Sequence, residues 1–443
     1  MKKITIIGAG QVGTLLAEDL SQQQHDIVLI ERDREKIKLI KDGLDIMCVE
    51  GDASEPQVLE EADIGKSDVV LAVSGDDKTN IMCAISANLM GVPGAVAKVR
   101  NPEYISYASM LRRQGISIIN PGEIISKNIV NTVKESHFAW SDSKIGNGKI
   151  DLFKLRVGED SKMLNTPLSE LRVSPWIFVG VAREGGMLIP SGETALLPGD
   201  SVYALGDSER LGNLTDAMGL DEEDESTHIV IIGAGRLGKL TASLLHKSGA
   251  TVKVIESDPL RASEIAEEVP GIIVLSGDAT DVKIQKEAGV EAADYLIALT
   301  GDDGENILSA LLARRLGAKR SIVLYTKPDY VDVLETIGID ISVSVRISVV
   351  NEILSMLDLG VSMRTTLLEE GRGEILEFVV GEESEILGKP LKNANLPEGC
   401  IVGVCIRNNE TIIPQGSFTP QINDTIIVFT LPEAVKKVEK AIL

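Results

Sequence analysis

The chain has 443 residues, 44% apolar and 25% charged, a globular balance that at about 100–200 residues per domain predicts three or four domains. Its formal net charge of −23 repels nucleic acid and anionic membrane surfaces, though not a basic protein partner, and 3% aromatic residues leave little for base stacking. Cys48, Cys83, Cys400 and Cys405 lack zinc-ligand spacing and fit a reduced, cytosolic protein; no run of 18 apolar residues offers a membrane span, and Ile4–Ile7 is too short for a signal-peptide core.

In chain order, "KITIIG" (Lys3–Gly8) predicts a buried strand, and the next stretch places Val12, Leu15, Leu16 and Leu20 at helical spacing. "DIVLIE", ending at Glu31, is the second strand. A charged helix around Arg34–Lys41, the strand "DIMCVEGD", an Ala/Leu helix, the strand "VVLAVSG", a long helix through Asn80–Leu89 and the strand "GAVAKV" follow. This alternation predicts an α/β domain with a parallel, doubly wound sheet. "GEIISKNIVNTVKE" (Gly122–Glu135) then carries Ile125, Ile129 and Val133 on one stripe. Such an amphipathic helix packs either on its own domain or on another subunit. Short alternating strands with Pro/Gly turns over about 150–215 predict a small α+β domain of about 70 residues, near the lower limit of independent stability. A domain that small, with exposed sheet edges, readily pairs with a copy of itself.

The chain then starts again. "IIGAGQVG" (Ile6–Gly13) returns as "IGAGRLG" (Ile232–Gly238), and Glu31 returns as Glu256. "GDAS" (Gly51–Ser54) returns as "GDAT" (Gly277–Thr280), "SGDD" from Ser74 as "TGDD" from Thr300, and "NPEY" (Asn101–Tyr104) as "KPDY" (Lys327–Tyr330). The amphipathic helix returns as "VRISVVNEILSML" (Val345–Leu357). In the small domain Gly180 matches Gly403 and Asp200 matches Asp424. The expected domains are therefore 1–140 and 228–366 (sheet domains) and 148–219 and 373–443 (small domains). The acidic stretch 220–227 is a solvated linker.

In each glycine loop the first glycine permits a tight turn, the second lets a pyrophosphate approach the backbone, and the third lets helix and strand pack closely. The helix N-terminus supplies N–H donors. Glu31 and Glu256 stand where a carboxylate would take the ribose hydroxyls, which disfavours a 2′-phosphate; Arg32 softens that argument at the first site. Asp52 and Asp278 either accept from an adenine amino group or cap the following helix. Asp76/Asp77 and Asp302/Asp303 open a helix as caps, or hold a divalent metal. Lys98 and Arg100, two apart and on one strand face, offer phosphates two cations where the second half has Leu324 and Thr326. A triphosphate should therefore prefer the first site, and the second should be weaker for ATP and either more tolerant of a dinucleotide or empty. Arg236 gives the second site a single cation where the first has Gln11.

A catalytic constellation does not accompany the loops. His25 and His246 fall at the end of the first helix of each half, His228 starts a strand and His137 sits near a domain connection. No nucleophile elbow, zinc cluster or P-loop occurs. An NAD-dependent oxidoreductase is the alternative reading.

The order glycine fingerprint, acidic strand end, "GDAS", "SGDD", "AKVRNPEY", amphipathic helix and small domain resembles the RCK (KTN) family, and its doubling resembles the peripheral subunits of Trk potassium uptake systems. The resemblance covers nearly all of the chain. It implies a nucleotide sensor that binds NAD(H), and in relatives ATP or ADP, and gates an integral membrane potassium transporter. It also implies a homo-oligomer, with four tandem chains forming an eight-lobed ring. The candidate binding residues are Gly8, Ala9, Gly10, Gln11, Val12, Gly13, Glu31, Arg32, Asp52, Ala53, Ser74, Gly75, Lys98 and Arg100. In the second half they are Gly233, Ala234, Gly235, Arg236, Leu237, Gly238, Glu256, Asp278, Ala279 and Thr300. Leu324 and Thr326 depart from the basic pattern.

Overall fold

The computed structural model describes residues 2–134, 139–146, 150–158, 161–171, 176–183, 186–206, 227–357, 363–368 and 371–442. Strands β1 (Lys3–Ile7), β2 (Asp26–Glu31), β3 (Met47–Glu50), β4 (Val69–Ala72), β5 (Gly94–Lys98) and β6 (Ile116–Ile119) form a parallel sheet in the order β3-β2-β1-β4-β5-β6. β4 is buried throughout, which is why it reads as an uninterrupted apolar run. Helix Gln11–Gln22 buries the expected Val12, Leu15, Leu16 and Leu20. Strand order reverses between β1 and β4, so the carboxyl ends of these two strands flank the crevice where such sheets take ligands.

An antiparallel sheet follows: β7 (Ala139–Ile145), β8 (Ile150–Arg156), β9 (Trp176–Arg183), β10 (Gly186–Leu188) and β11 (Ser201–Gly206), ordered β10-β9-β11-β8-β7. The second half repeats both sheets. β12 (His228–Ile232), β13 (Thr251–Glu256), β14 (Ile273–Ser276), β15 (Tyr295–Ala298), β16 (Arg320–Tyr325) and β17 (Ile341–Ser344) run β14-β13-β12-β15-β16-β17. β18 (Met363–Leu368), β19 (Gly373–Val379), β20 (Cys400–Arg407), β21 (Glu410–Ile412) and β22 (Thr425–Thr430) run β18-β19-β22-β20-β21. Helix Val435–Ile442 follows β22 and buries Val435, Val438 and Ile442. The acidic linker, apart from Thr227, and His137 lie outside the described residues.

Packing does not follow the repeat. One compact unit is Met1–Ile124 with Arg346–Val361; the other is Ile125–Val345 with Ser362–Leu443. Helix Pro121–Lys134 inserts Ile125, Ile129, Val130 and Val133 into the core of the second sheet domain, beside Ile229, Leu245 and Ile265. There the Ser126 and Thr241 hydroxyls share a buried 2.9 Å hydrogen bond. Reciprocally, helix Val345–Met356 belongs almost entirely to the first unit and buries Val349, Val350, Ile353 and Leu354. The partner of the amphipathic stripe is thus the opposite half of the same chain.

The small sheets also pair within the chain, as Leu152, Val179 and Leu205 share one core with Ile375, Val404, Ile427 and Phe429. Gly180 and Gly403 make that contact possible: a Cβ on Gly180 would stand 2.6 Å from Phe429, and one on Gly403 2.9 Å from Leu205. The matched aspartates do one job twice. Arg183 forks onto Asp200 at 2.8 and 2.7 Å, and Arg407 onto Asp424 at 2.8 and 2.6 Å.

Candidate functional site

At the carboxyl end of β1 the chain turns through Gly8, at φ +100°, and its N–H donates to the Ile30 carbonyl at 2.8 Å. Gly233 repeats this at φ +94°, bonded to Ile255 at 2.9 Å. Only glycine adopts that conformation without strain. Gly13 and Gly238 have another reason, since a Cβ on either would collide with the carbonyl oxygen of Gly8 or Gly233. Gly10 has neither reason. Its φ is an ordinary −79° and a Cβ there meets no atom within 4 Å; Gly235, at −62°, is equally open. The fold tolerates a side chain at both positions, and each leaves open space over its Cα. Gln11 and Arg236 lie exposed at the first turn of their helices, while Val12 and Leu237 face inward.

Glu31 ends β2 beside this loop. Its Oε2 accepts the Ala9 N–H at 2.6 Å, and its Oε1 accepts those of Arg32 and Asp33 at 2.9 and 3.0 Å. A carboxylate has about four acceptor positions, so one remains, and Glu31 is only half-buried. Asp52, at the end of the next connection, accepts the Ser54 N–H at 2.9 Å, a bond that holds its carboxyl below the usual range. Ala53 is buried beside it.

The third wall is the turn after β4, where Ser74 and Gly75 are held by groups from three directions. Fully buried Asn80 accepts the Ser74 N–H at 2.9 Å and its hydroxyl at 2.7 Å, and donates to the carbonyls of Ser74 and Lys98 at 3.1 and 2.8 Å. Lys98 Nζ donates to the Val73 carbonyl at 2.7 Å, and the Arg100 guanidinium to that of Gly75. The two cations do share a face, but that face meets the turn, and neither lines the cavity. Asp77 accepts the N–H groups of Arg100 and Asn101 at 3.0 and 2.8 Å. Asp76 caps its helix through the Thr79 N–H at 2.7 Å, and Asp302 does so through that of Glu305 at 2.8 Å. Among the described residues, no cluster of His, Cys, Asp or Glu is suited to a metal.

Burial pushes the Lys98 ammonium down to about 8, with Arg100 adding to the shift and Asp77 opposing it. An unfolded lysine titrates near about 10.4. Below about 8 both states carry the proton, and the folded state bears the full cost of a buried charge. Between about 8 and 10.4 the unfolded chain binds a proton that the folded chain has lost, so stability rises with pH. Urea midpoints of the wild type measured from pH 7.5 to 10 are expected to carry this rising component, and Lys98→Met to lack it; identical profiles would contradict the assignment.

The walls enclose a cavity of about 490 Å³, lined by Gly8, Gly10, Glu31, Asp52, Ser74 and Gly75 among the expected residues. Arg32 lines it as well, together with Lys36 and Thr79, which the sequence reading did not single out. That volume lies within the usual range for ligand pockets, about 300–1,000 Å³. The second half repeats the chemistry at reduced size. Glu256 accepts the Ala234 N–H at 2.7 Å and the Asp258 N–H at 2.9 Å, and Asn306 ties Thr300 to the Leu324 carbonyl as Asn80 does its counterpart. Thr326, in place of Arg100, bonds Asp303 through its hydroxyl at 2.9 Å. The cavity here is only about 160 Å³; Ala279 lines it, whereas Asp278 is exposed and bonded to Thr280.

Comparison with known proteins follows the same repeat. A family model described as the TrkA-N domain matches residues 4–121 and 229–345, and one described as the TrkA-C domain matches 152–219 and 375–443. The Trk system potassium uptake protein TrkA homolog 1 of Methanosarcina mazei is 32% identical over 449 residues, covering 99% of each chain. The chain belongs to the TrkA family. TrkA of Azorhizobium caulinodans is also 32% identical, across 99% of this chain and 98% of that one. Among solved structures, the GsuK channel aligns with 99% of this chain and 78% of its own at TM-score 0.61, and the GsuK channel bound to NAD aligns at 0.59; at 20% identity both establish the fold. The TrkA-N matches coincide with the two glycine-loop sheet domains, and the TrkA-C matches with the paired small sheets. No helix among the described residues is long and apolar enough to cross a membrane.

Proposed function

We propose that this TrkA-family chain is a nucleotide-sensing regulatory subunit that binds NAD(H) in the first cavity and gates a Trk-type potassium transporter from the inner face of the membrane. The observation that carries the reading is Gly10: an unstrained glycine with open space over its Cα, at the topological switch point, beside a carboxylate with one acceptor position free. The loop and helix N-terminus would hold the pyrophosphate, Glu31 a ribose hydroxyl and Asp52 the adenine end. Arg32 and Lys36 would face the phosphates, the role expected of Lys98 and Arg100 from their spacing. ATP and ADP offer the same ribose and phosphates and would compete for this cavity. Relatives named as Trk potassium uptake proteins support the transporter partner.

A ligand shifts a regulator between shapes only by its differential affinity for them. The loop, the β2 end and the β4 turn converge on one cavity, so a nucleotide held by all three would favour the arrangement in which they are closest. Assembly into a tetramer is part of the proposal, supported by Met82, Ile85 and Leu89, which stand exposed along one face of helix Asp77–Leu89.

Glu31→Gln removes a charge-assisted hydrogen bond to ribose while keeping the side chain's shape. NADH affinity is expected to fall about tenfold by calorimetry, and the melting temperature to fall as well, since one end of the amide cannot accept the backbone N–H that Glu31 holds. Unchanged affinity would mean the ribose is held elsewhere.

A further inference from the structure

Among the cavity positions at which the two halves differ, which include Arg32 against Ser257, two are marked by no motif. Lys36 and Thr79 in the first half become Arg261 and Glu305 in the second. Arg261 Nη2 lies 3.4 Å from Glu256 Oε1, and its Nε bonds Asp258 at 3.2 Å, so the side chain lies across the strand end. Glu256 takes the Ala234 N–H on Oε2; on Oε1 it takes the Asp258 N–H and the Ser257 hydroxyl at 3.4 Å, and the Arg261 guanidinium forms an ion pair with that same oxygen. Glu31 has no such partner: among the described residues no ion pair joins it to Lys36. Glu256 is also 4% exposed, where Glu31 is half-buried.

Glu305 acts in the same direction on the phosphate side. Burial, together with the neighbouring Asp278, Asp302 and Glu256, holds its carboxyl above the usual range against a hydrogen bond from Thr300. Whenever ionised, it places negative charge in a cavity already flanked by carboxylates, where the first site has the neutral Thr79. The cavity is about 160 Å³ against about 490 Å³.

We propose that Arg261 and Glu305 are specificity-determining residues that close the second site to NAD(H). Arg261 holds the buried Glu256 in an ion pair that a ribose hydroxyl would have to displace, and Glu305 repels the pyrophosphate. The tandem chain then has one sensing lobe and one lobe held in a fixed, self-liganded state. This deepens the nucleotide-sensing reading and rests on it.

The test is calorimetric titration of the full-length chain with NAD+, comparing wild type, Arg261→Ala/Glu305→Thr and the milder Arg261→Gln/Glu305→Gln. The wild type is expected to bind one NAD+ per chain and each double variant two. Both substituted side chains stand at the cavity rim, and retained binding at the first site reports that the chain is folded. Two equivalents in the wild type, or one in both variants, would overturn the closure. A wild type that binds none while a variant binds one would sink the first-site reading and leave the closure standing. No binding by any of the chains would sink both.

Discussion

Gly10→Val is expected to abolish NAD(H) binding at the first site, a loss of at least about a hundredfold, while leaving the fold intact. Gly13→Val is expected to unfold the sheet domain around the same loop. The two glycines are three residues apart and belong to one fingerprint, yet different physics holds them. A Cβ on Gly10 meets nothing within 4 Å, and φ −79° suits any residue. Valine there fills only the space a pyrophosphate would use. On Gly13 the Cβ would run into the Gly8 carbonyl and lie 3.3 Å from a Val73 methyl, so helix Gln11–Gln22 must move off the sheet. Displacing a packed helix costs several kcal/mol, on the scale of about 1–3 kcal/mol or more for overpacking a core. Thermal melts and NADH titrations of the two variants separate the effects. Gly10→Val that melts early, or that binds NADH normally, would contradict the ligand-based reason for that glycine.

Asn80→Ala is expected to destabilise the first unit by about 2–4 kcal/mol, since it leaves the buried partners of a four-bonded amide unsatisfied. Asn80 is 0% exposed and joins the Ser74–Gly75 turn to the end of β5. Its loss should therefore also loosen the cavity wall and weaken nucleotide binding. Urea denaturation gives the first effect and calorimetry the second. A cost below about 0.5 kcal/mol would show that the turn is held by Lys98 and Arg100 alone.

These residues show what the sequence carries and what it does not. The glycine loops, Glu31 and Glu256 were legible because their roles are set by the local chain: a strand end, a turn, a helix start. Both parallel sheets were legible because buried strands and amphipathic helices alternate at different periods. Lys98 and Arg100 were legible only as sharing a face. Which neighbour that face meets depends on the β4 turn, and it meets the Val73 and Gly75 carbonyls. The stripe Ile125, Ile129, Val133 demanded an apolar partner, and no local signal could name the second sheet domain as that partner. Lys36 and Arg261 read as ordinary surface charge on a helix; only the register of the repeat, five residues past each strand-end glutamate, points to them. Asn80 and Asn306 could have been found the same way, in "DDKTNI" and "DDGENI".

If the chain senses nucleotide as proposed, occupancy of the first cavity sets transport. The most direct measurement is potassium flux in vesicles carrying the partner transporter, with this chain added, in the presence and absence of NADH. Flux is expected to change with NADH for the wild-type chain and not to change with NADH for Gly10→Val. Flux indifferent to NADH with the wild-type chain bound to the transporter, or an undiminished NADH response with Gly10→Val, would contradict it.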